Sequence, residues 1–239
     1  MLFTPIIKRK KGSGKNLLQP PFPDGSTVIG VFTGISVEIY GAEDIKKVNE
    51  NGFYGKGSKS RGAPKLLTKG IVDDTESLSL ELEESAFLAY FHGILCIQDI
   101  QSKKLQYNEF FEAAKNVNPN FLECLGCYLY LKSKGWIIKS GIKFGGNFLI
   151  YKRGPRYNHA SFIIFVQPKS NTKAISIKDL KGLQRIAETS DKDVLLLEVT
   201  KPDVLTYNII SDITALKISE TIVRRFNSTS FVQSQKITK

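Results

Sequence analysis

Two apolar runs near the end of the chain, ASFIIFV at 160–166 and VLLLEVT at 194–200, flank a single stretch of helical pattern, IKDLKGLQRIAET. A strand–helix–strand crossover returns the chain in its original direction, so the two strands must be parallel, with their starting ends side by side. Upstream, WIIKSG and NFLIY are two more short apolar runs set off by turns,. NFLIY and ASFIIFV enclose a seven-residue loop, 152–158, and read as a hairpin,. The expected class is therefore α+β, with a mixed sheet in a C-terminal domain at 118–239.

Residues 26–117 read as a smaller α/β domain. STVIGVFTGISVEIYG suggests two strands meeting at a turn, and AEDIKKVNENGFYG a short helix stopped at Gly52,. GFYGKGSKSRGAPK has neither GxGxxG nor a terminal GK[ST], so it reads as a basic surface loop rather than a nucleotide loop,. A helix is expected from about Glu81 to Ile97, because Phe87, Phe91, Ile94 and Leu95 form one stripe at i, i+4, i+7 and i+8,. His92 lies beside that stripe as a packed or capping histidine. YNEFFEAAKNV predicts a second helix burying Phe110, Phe111 and Ala114. Asn118-Pro119 predicts a cap and first turn for a third, running to about Lys134 and stopped by Gly135,. Residues 1–25 are expected to be a basic, flexible lead-in. Its KRKK run at 8–11 fits an import signal, a phosphate-touching arm or a solvated tail,.

The formal net charge is +11, which favours a polyanionic partner such as nucleic acid; solubility charge or an anionic membrane surface would also fit,. No apolar run reaches the roughly 20 residues needed to span a bilayer, so no membrane partner is expected,. The three cysteines include a CLGC pair at 124–127. Without a second ligand pair, they read as buried small hydrophobes rather than a zinc site.

Chemistry concentrates where the hairpin and the crossover meet. Tyr151 ends one strand, His159 begins the next, and Lys192 precedes the strand parallel to it. RNA brings its own nucleophile, the 2′-OH. Its cleavage then needs a base, an acid for the departing 5′ oxygen, and a cation for the charge gathering on phosphorus. Histidine suits the acid and lysine the charge. Tyrosine is an awkward base unless cations favour its phenolate, which Lys152, Arg153 and Lys192 would do. No cofactor and no metal are needed. A metal-dependent nuclease is the competing reading, but Glu198 and Lys201 are spaced ExxK rather than ExK. On residue types alone, a strand-end Tyr, a loop His and a surface Lys are each commonplace, and both a catalytic and a merely structural reading stand.

The segment YLYLKSKGWIIKSGIKFGGNFLIYKRGPRYNHASFIIFV resembles the catalytic core of tRNA-splicing endonuclease subunits, and SDKDVLLLEVTKP matches the family's lysine region. GVFTGISVEIYGAEDIKKVNENGFYGKGSKSRG and LSLELEESAFLAYFHGILCI extend the likeness over most of 28–226, closest to the subunit that cuts the 5′ splice site. The resemblance implies a metal-independent tRNA-intron nuclease leaving 2′,3′-cyclic phosphate and 5′-OH ends. It carries the catalytic roles to Tyr151, His159 and Lys192. It further implies a base-sandwiching pair at Arg185 and Phe226, the latter standing where the family has tryptophan; the loop cations Lys152 and Arg153 are expected as further RNA contacts on their charge and position. The implied partners are precursor tRNA, a second catalytic subunit and two structural subunits in a heterotetramer, and the implied location is the nucleus. A non-catalytic RNA-binding or scaffold subunit of such a complex is the alternative.

Overall fold

Glycine and β-branched residues set the first folding unit. Val28–Phe32 (β1) and Val37–Ile39 (β2) are antiparallel, joined by a turn in which Thr33 N–H donates to Ser36 O at 2.9 Å. Helix α1, Ala42–Glu50, ends where Gly52 adopts φ +117°, a conformation open to glycine at little cost,. Lys56–Gly57 (β3), Leu78–Leu80 (β4) and Leu95–Gln98 (β5) complete a five-stranded sheet in the order β3-β4-β2-β1-β5, in which only β1 and β5 run parallel. The computed structural model describes residues 7–11, 22–60, 62–64, 76–169, 176–202 and 209–224.

Two sequence expectations change here. The helix expected to reach Ile97 is short: Leu82–Ala86 (α2), opened by a capping box between Glu81 and Glu84, continues as one wide turn over Phe87–Phe91. Gly93 then takes φ +79°, and the chain becomes β5. The stripe misled because Leu95 and Ile97 also alternate correctly for a strand, and pairing with β1 buries both,. His92 does pack as anticipated, its Nε2 2.8 Å from Pro23 O and its ring stacked on Phe87. The glycine-rich segment is not all surface loop, since Phe53, Tyr54 and Gly55 are buried. Lys139 Nζ reaches across to donate to the carbonyls of Phe53 and Gly55, with Glu84 Oε1 3.8 Å away.

Helix α3, Tyr107–Val117, buries Phe110, Phe111 and Ala114 completely. The next helix, α4, spans Phe121–Ser133, with Asn120 rather than Asn118 as its N-cap. Asn118 instead closes α3, and its side-chain oxygen accepts from Asn120 N–H at 3.0 Å. Almost every face of α4 is covered. Phe121, Leu122 and Leu125 pack into the core of the first sheet, while Cys124, Cys127, Tyr128 and Leu131 pack into that of the second. The two cysteines are thus packing residues, both free, and burial raises the Cys124 thiol to about 12,.

The second sheet has the order β10-β9-β8-β7-β6, built from Ile137–Ser140 (β6), Phe148–Tyr151 (β7), Phe162–Pro168 (β8), Asp193–Thr200 (β9) and Lys217–Val223 (β10). All its pairs are antiparallel except β8 with β9, which Ile177–Ser190 (α5) connects. A six-residue helix, Ile209–Thr214 (α6), precedes β10. The mixed α+β class read from the sequence is thus the observed one. Among the described residues no helix is long and apolar enough to cross a membrane.

Residues 7–11 and 22–25 of the expected lead-in lie among the described residues. Within residues 7–11, Arg9 bridges to Asn158 in the hairpin loop, so this part of the basic run is docked.

Burial at the start of α2 has a measurable consequence. Glu83 is buried, and desolvation raises its carboxyl from 4.5 to about 7,. The folded chain then holds a proton that the unfolded chain releases. This contribution is full below about pH 4.5 and is lost as pH rises through 7, a loss of about 3 kcal/mol by pH 8. Glu83→Gln is expected to raise the urea midpoint more at pH 8 than at pH 5. An equal gain at both would contradict a raised carboxyl.

Candidate active site

The edge where β7 ends and β8 and β9 begin is set by register. Phe162 sits opposite Asp193, so the residues before each strand are neighbours, as the crossover argument required. The loop between β7 and β8 is tightly built. Gly154 has φ +106°, and a Cβ there would lie 2.4 Å from the Phe53 ring, so only glycine lets the loop close against the first sheet's domain,. Tyr157 and Asn158 N–H both turn back to Gly154 O, at 3.2 and 3.1 Å. On the other side, Asp191 caps α5 in the left-handed conformation at φ 52°, and Lys192 N–H donates to Ala187 O at 3.2 Å. These caps place Lys192 immediately before β9.

A cavity of about 270 Å³ opens at this edge, and its lining includes His159, Lys192, Ser161, Asp191, Glu188 and Lys8. Two of the three sequence candidates therefore share one cavity. The third, Tyr151, is not in its lining. Tyr151 packs beside it, against a small cluster of Leu149, Ala160 and Ile163 that also receives Phe144. Ala160 lines the cavity, and Lys192 Nζ lies 4.7 Å from the centre of the Phe144 ring.

The electrostatics depart from the sequence argument at one point. Neighbouring cations were expected to lower the Tyr151 phenol, but burial raises it,. Lys152 follows Tyr151 in sequence, yet its ammonium is turned to Trp136, 5.4 Å from the ring centre. Lys152 lies one residue past the end of β7, where the chain bends, so its direction is not tied to that of Tyr151. Lys192 donates to Ser190 O at 2.8 Å. Partial desolvation lowers its pKa, the Asp191 carboxylate opposes that, and Lys8 adds to it.

Of the remaining candidates, Arg153 is exposed on the loop and Arg185 is exposed on α5. Phe226 lies outside the described residues. Lys201, of the ExxK pair, is engaged at the other end of β9, 2.8 Å from the buried Glu123. Among the described residues no three His, Cys, Asp or Glu side chains gather as a metal site would require. Sequence reasoning missed Asp191 and Ser161 as parts of the cavity. Both flank candidates in the sequence, but nothing in their spacing signalled it. Lys8 carried a signal, the KRKK run, with no indication of where it would dock.

Comparison with known proteins agrees with this architecture. The family profile described as tRNA intron endonuclease, N-terminal domain, matches residues 28–111, and that of the catalytic C-terminal domain matches 121–207. The tRNA-splicing endonuclease subunit Sen2 of Mus musculus is 34% identical over 137 residues, 55% of this chain and 30% of that protein. The Gallus gallus Sen2 subunit is 32% identical over 162 residues, 64% of this chain and 35% of that protein. The tRNA-splicing endonuclease of Pyrobaculum islandicum is 28% identical over 173 residues, 72% of this chain and 91% of that protein. The chain thus spans about a third of the length of the Sen2 relatives it matches. With the N-terminal and catalytic profiles of one family matched in order along two mixed sheets, this chain belongs to the tRNA intron endonuclease family.

Proposed function

We propose that this chain is a catalytic subunit of a tRNA-splicing endonuclease. The observation that carries the reading is the pairing of His159 and Lys192 in one cavity at the sheet edge, with Tyr151 packed beside it. In this reading Tyr151 takes the 2′ proton and the 2′ oxygen attacks the adjacent phosphorus. The bond to the 5′ oxygen breaks, and His159 protonates that oxygen as it leaves. Lys192 holds the negative charge of the five-coordinate phosphorus. The electron count closes with a 2′,3′-cyclic phosphate and a 5′-OH. Burial keeps Tyr151 protonated at rest, so its part as base requires entering RNA to open the phenol toward the cavity's cations.

The likeness to Sen2 subunits supports a multi-subunit complex acting on precursor tRNA, and the finer assignments are part of the same proposal. These are the 5′ splice site of precursor tRNA, work in a heterotetramer with a second catalytic and two structural subunits, and a nuclear location. Arg185 and Phe226 would sandwich a base, with Arg153 and Lys152 as outer RNA contacts.

The test is to mix the assembled complex with an intron-containing precursor tRNA in excess EDTA. Undiminished cleavage with cyclic phosphate and 5′-OH ends is expected. Loss of cleavage on chelation, or 3′-OH and 5′-phosphate ends, would overturn the mechanism.

A further inference from the structure

The basic run at 8–11 is built into the edge of the candidate site. His159 N–H donates to Lys8 O at 3.0 Å, and Lys10 N–H donates to Tyr157 O at 3.0 Å, with Arg9 bridged antiparallel to Asn158 between them. The segment is thus a short added strand on the loop that presents His159. The two-residue period of a strand places Lys8 and Lys10 on one side of it. Lys10 Nζ turns to the carbonyl of Pro155, while Lys8 lines the cavity and pairs with Asp191.

We propose that residues 7–11 form a phosphate-binding arm of the site, in which Lys8 leaves Asp191 to hold a backbone phosphate of the RNA beside the scissile one. This rests on the endonuclease reading and deepens it. Three observations carry it. The Lys8–Asp191 pair is solvent-exposed, with the two side chains 49% and 82% accessible, so a phosphate in the cavity competes with it at little loss,. Lys8 joins Lys192 and His159 in one cavity lining, where three donors can converge on a phosphate; of the carboxylates that share the lining, Asp193 is already paired with Arg224 and Asp191 with Lys8 itself, while Glu188 also lies there,. Ser161, also in the lining, is buried with its Oγ lacking a hydrogen-bond partner among the described residues, an unsatisfied hydroxyl that a small turn of its side chain would offer to a phosphate oxygen,.

The experiment uses the full chain assembled with its partner subunits and a fluorescent intron-containing precursor tRNA. Binding is measured over a salt series in a His159→Ala background, and single-turnover cleavage in the chain with His159 intact. Lys8→Ala is expected to weaken binding by about tenfold, the loss of one charge-assisted contact. It is also expected to flatten the plot of log Kd against log salt by roughly 0.7, the signature of one phosphate contact to a single strand. Lys8→Arg is expected to restore both. An unchanged slope would reduce Lys8 to a surface residue, and faster cleavage by Lys8→Ala would make the arm a plug; either result overturns the proposal. If RNA binds with Lys8 dependence but is never cut, the endonuclease reading fails and the arm stands. If RNA is cut normally whatever occupies position 8, only the arm falls.

Discussion

Replacing His159 by alanine is expected to lower single-turnover cleavage of precursor tRNA by roughly 10²–10⁴, the usual contribution of a general acid. The same variant should melt where the parent chain does. His159 is exposed in the cavity wall, and the bond from its backbone N–H to Lys8 O survives the substitution. A residue with only a packing role would give the opposite pattern, a lower Tm and a proportionate loss of every activity. A complex that cuts at the full rate with alanine at 159 would remove the proposed acid. It would also leave the scaffold reading as the better account of the chain.

Phe121→Ala is expected to cost about 3–5 kcal/mol, the usual penalty for emptying a fully buried aromatic site,. For a chain of this size that is a fall in Tm of roughly 10 °C. The more informative part is where it is felt. Phe121 sits in the core of the first sheet, edge-on to Phe111 at 5.3 Å, yet α4 continues into the core of the second. The single tryptophan, Trp136, packs edge-on to Phe162 at 6.2 Å in that second core. Its fluorescence is therefore expected to shift together with the backbone circular dichroism, in one transition. If Trp136 reports the parent Tm while the dichroism falls early, α4 does not couple the two sheets.

Four of the five C-terminal strands were legible because their apolar runs are short and well separated; β10, Lys217–Val223, whose mostly exposed residues form no apolar run, was not. The parallel pairing of β8 with β9 followed from a single intervening helix,. The N-terminal part was less so. The span from Ile94 to Ile97 satisfies helix and strand periods alike, and its pairing with residues 28–31 decides the matter,. Phe53 and Tyr54 lie in a glycine-rich basic stretch that reads as solvent-facing. They are buried by contacts distant in sequence: Phe53 packs edge-on to Tyr157, Tyr54 joins the first core against Phe87, and Lys139 donates to the carbonyls of Phe53 and Gly55.

What the order of residues settled alone was which groups could meet: a crossover with one helix sets the starts of β8 and β9 side by side, and His159 and Lys192 lie just ahead of those starts, His159 three residues before β8 rather than at its first position. What it left to the folded chain was each group's electrical surroundings. A phenol's ionisation depends on the water and charge around it in space. Packing half-buried Tyr151 beside Ala160 and Ile163, turned Lys152 away to Trp136, and drew Lys8 across the loop to Asp191,.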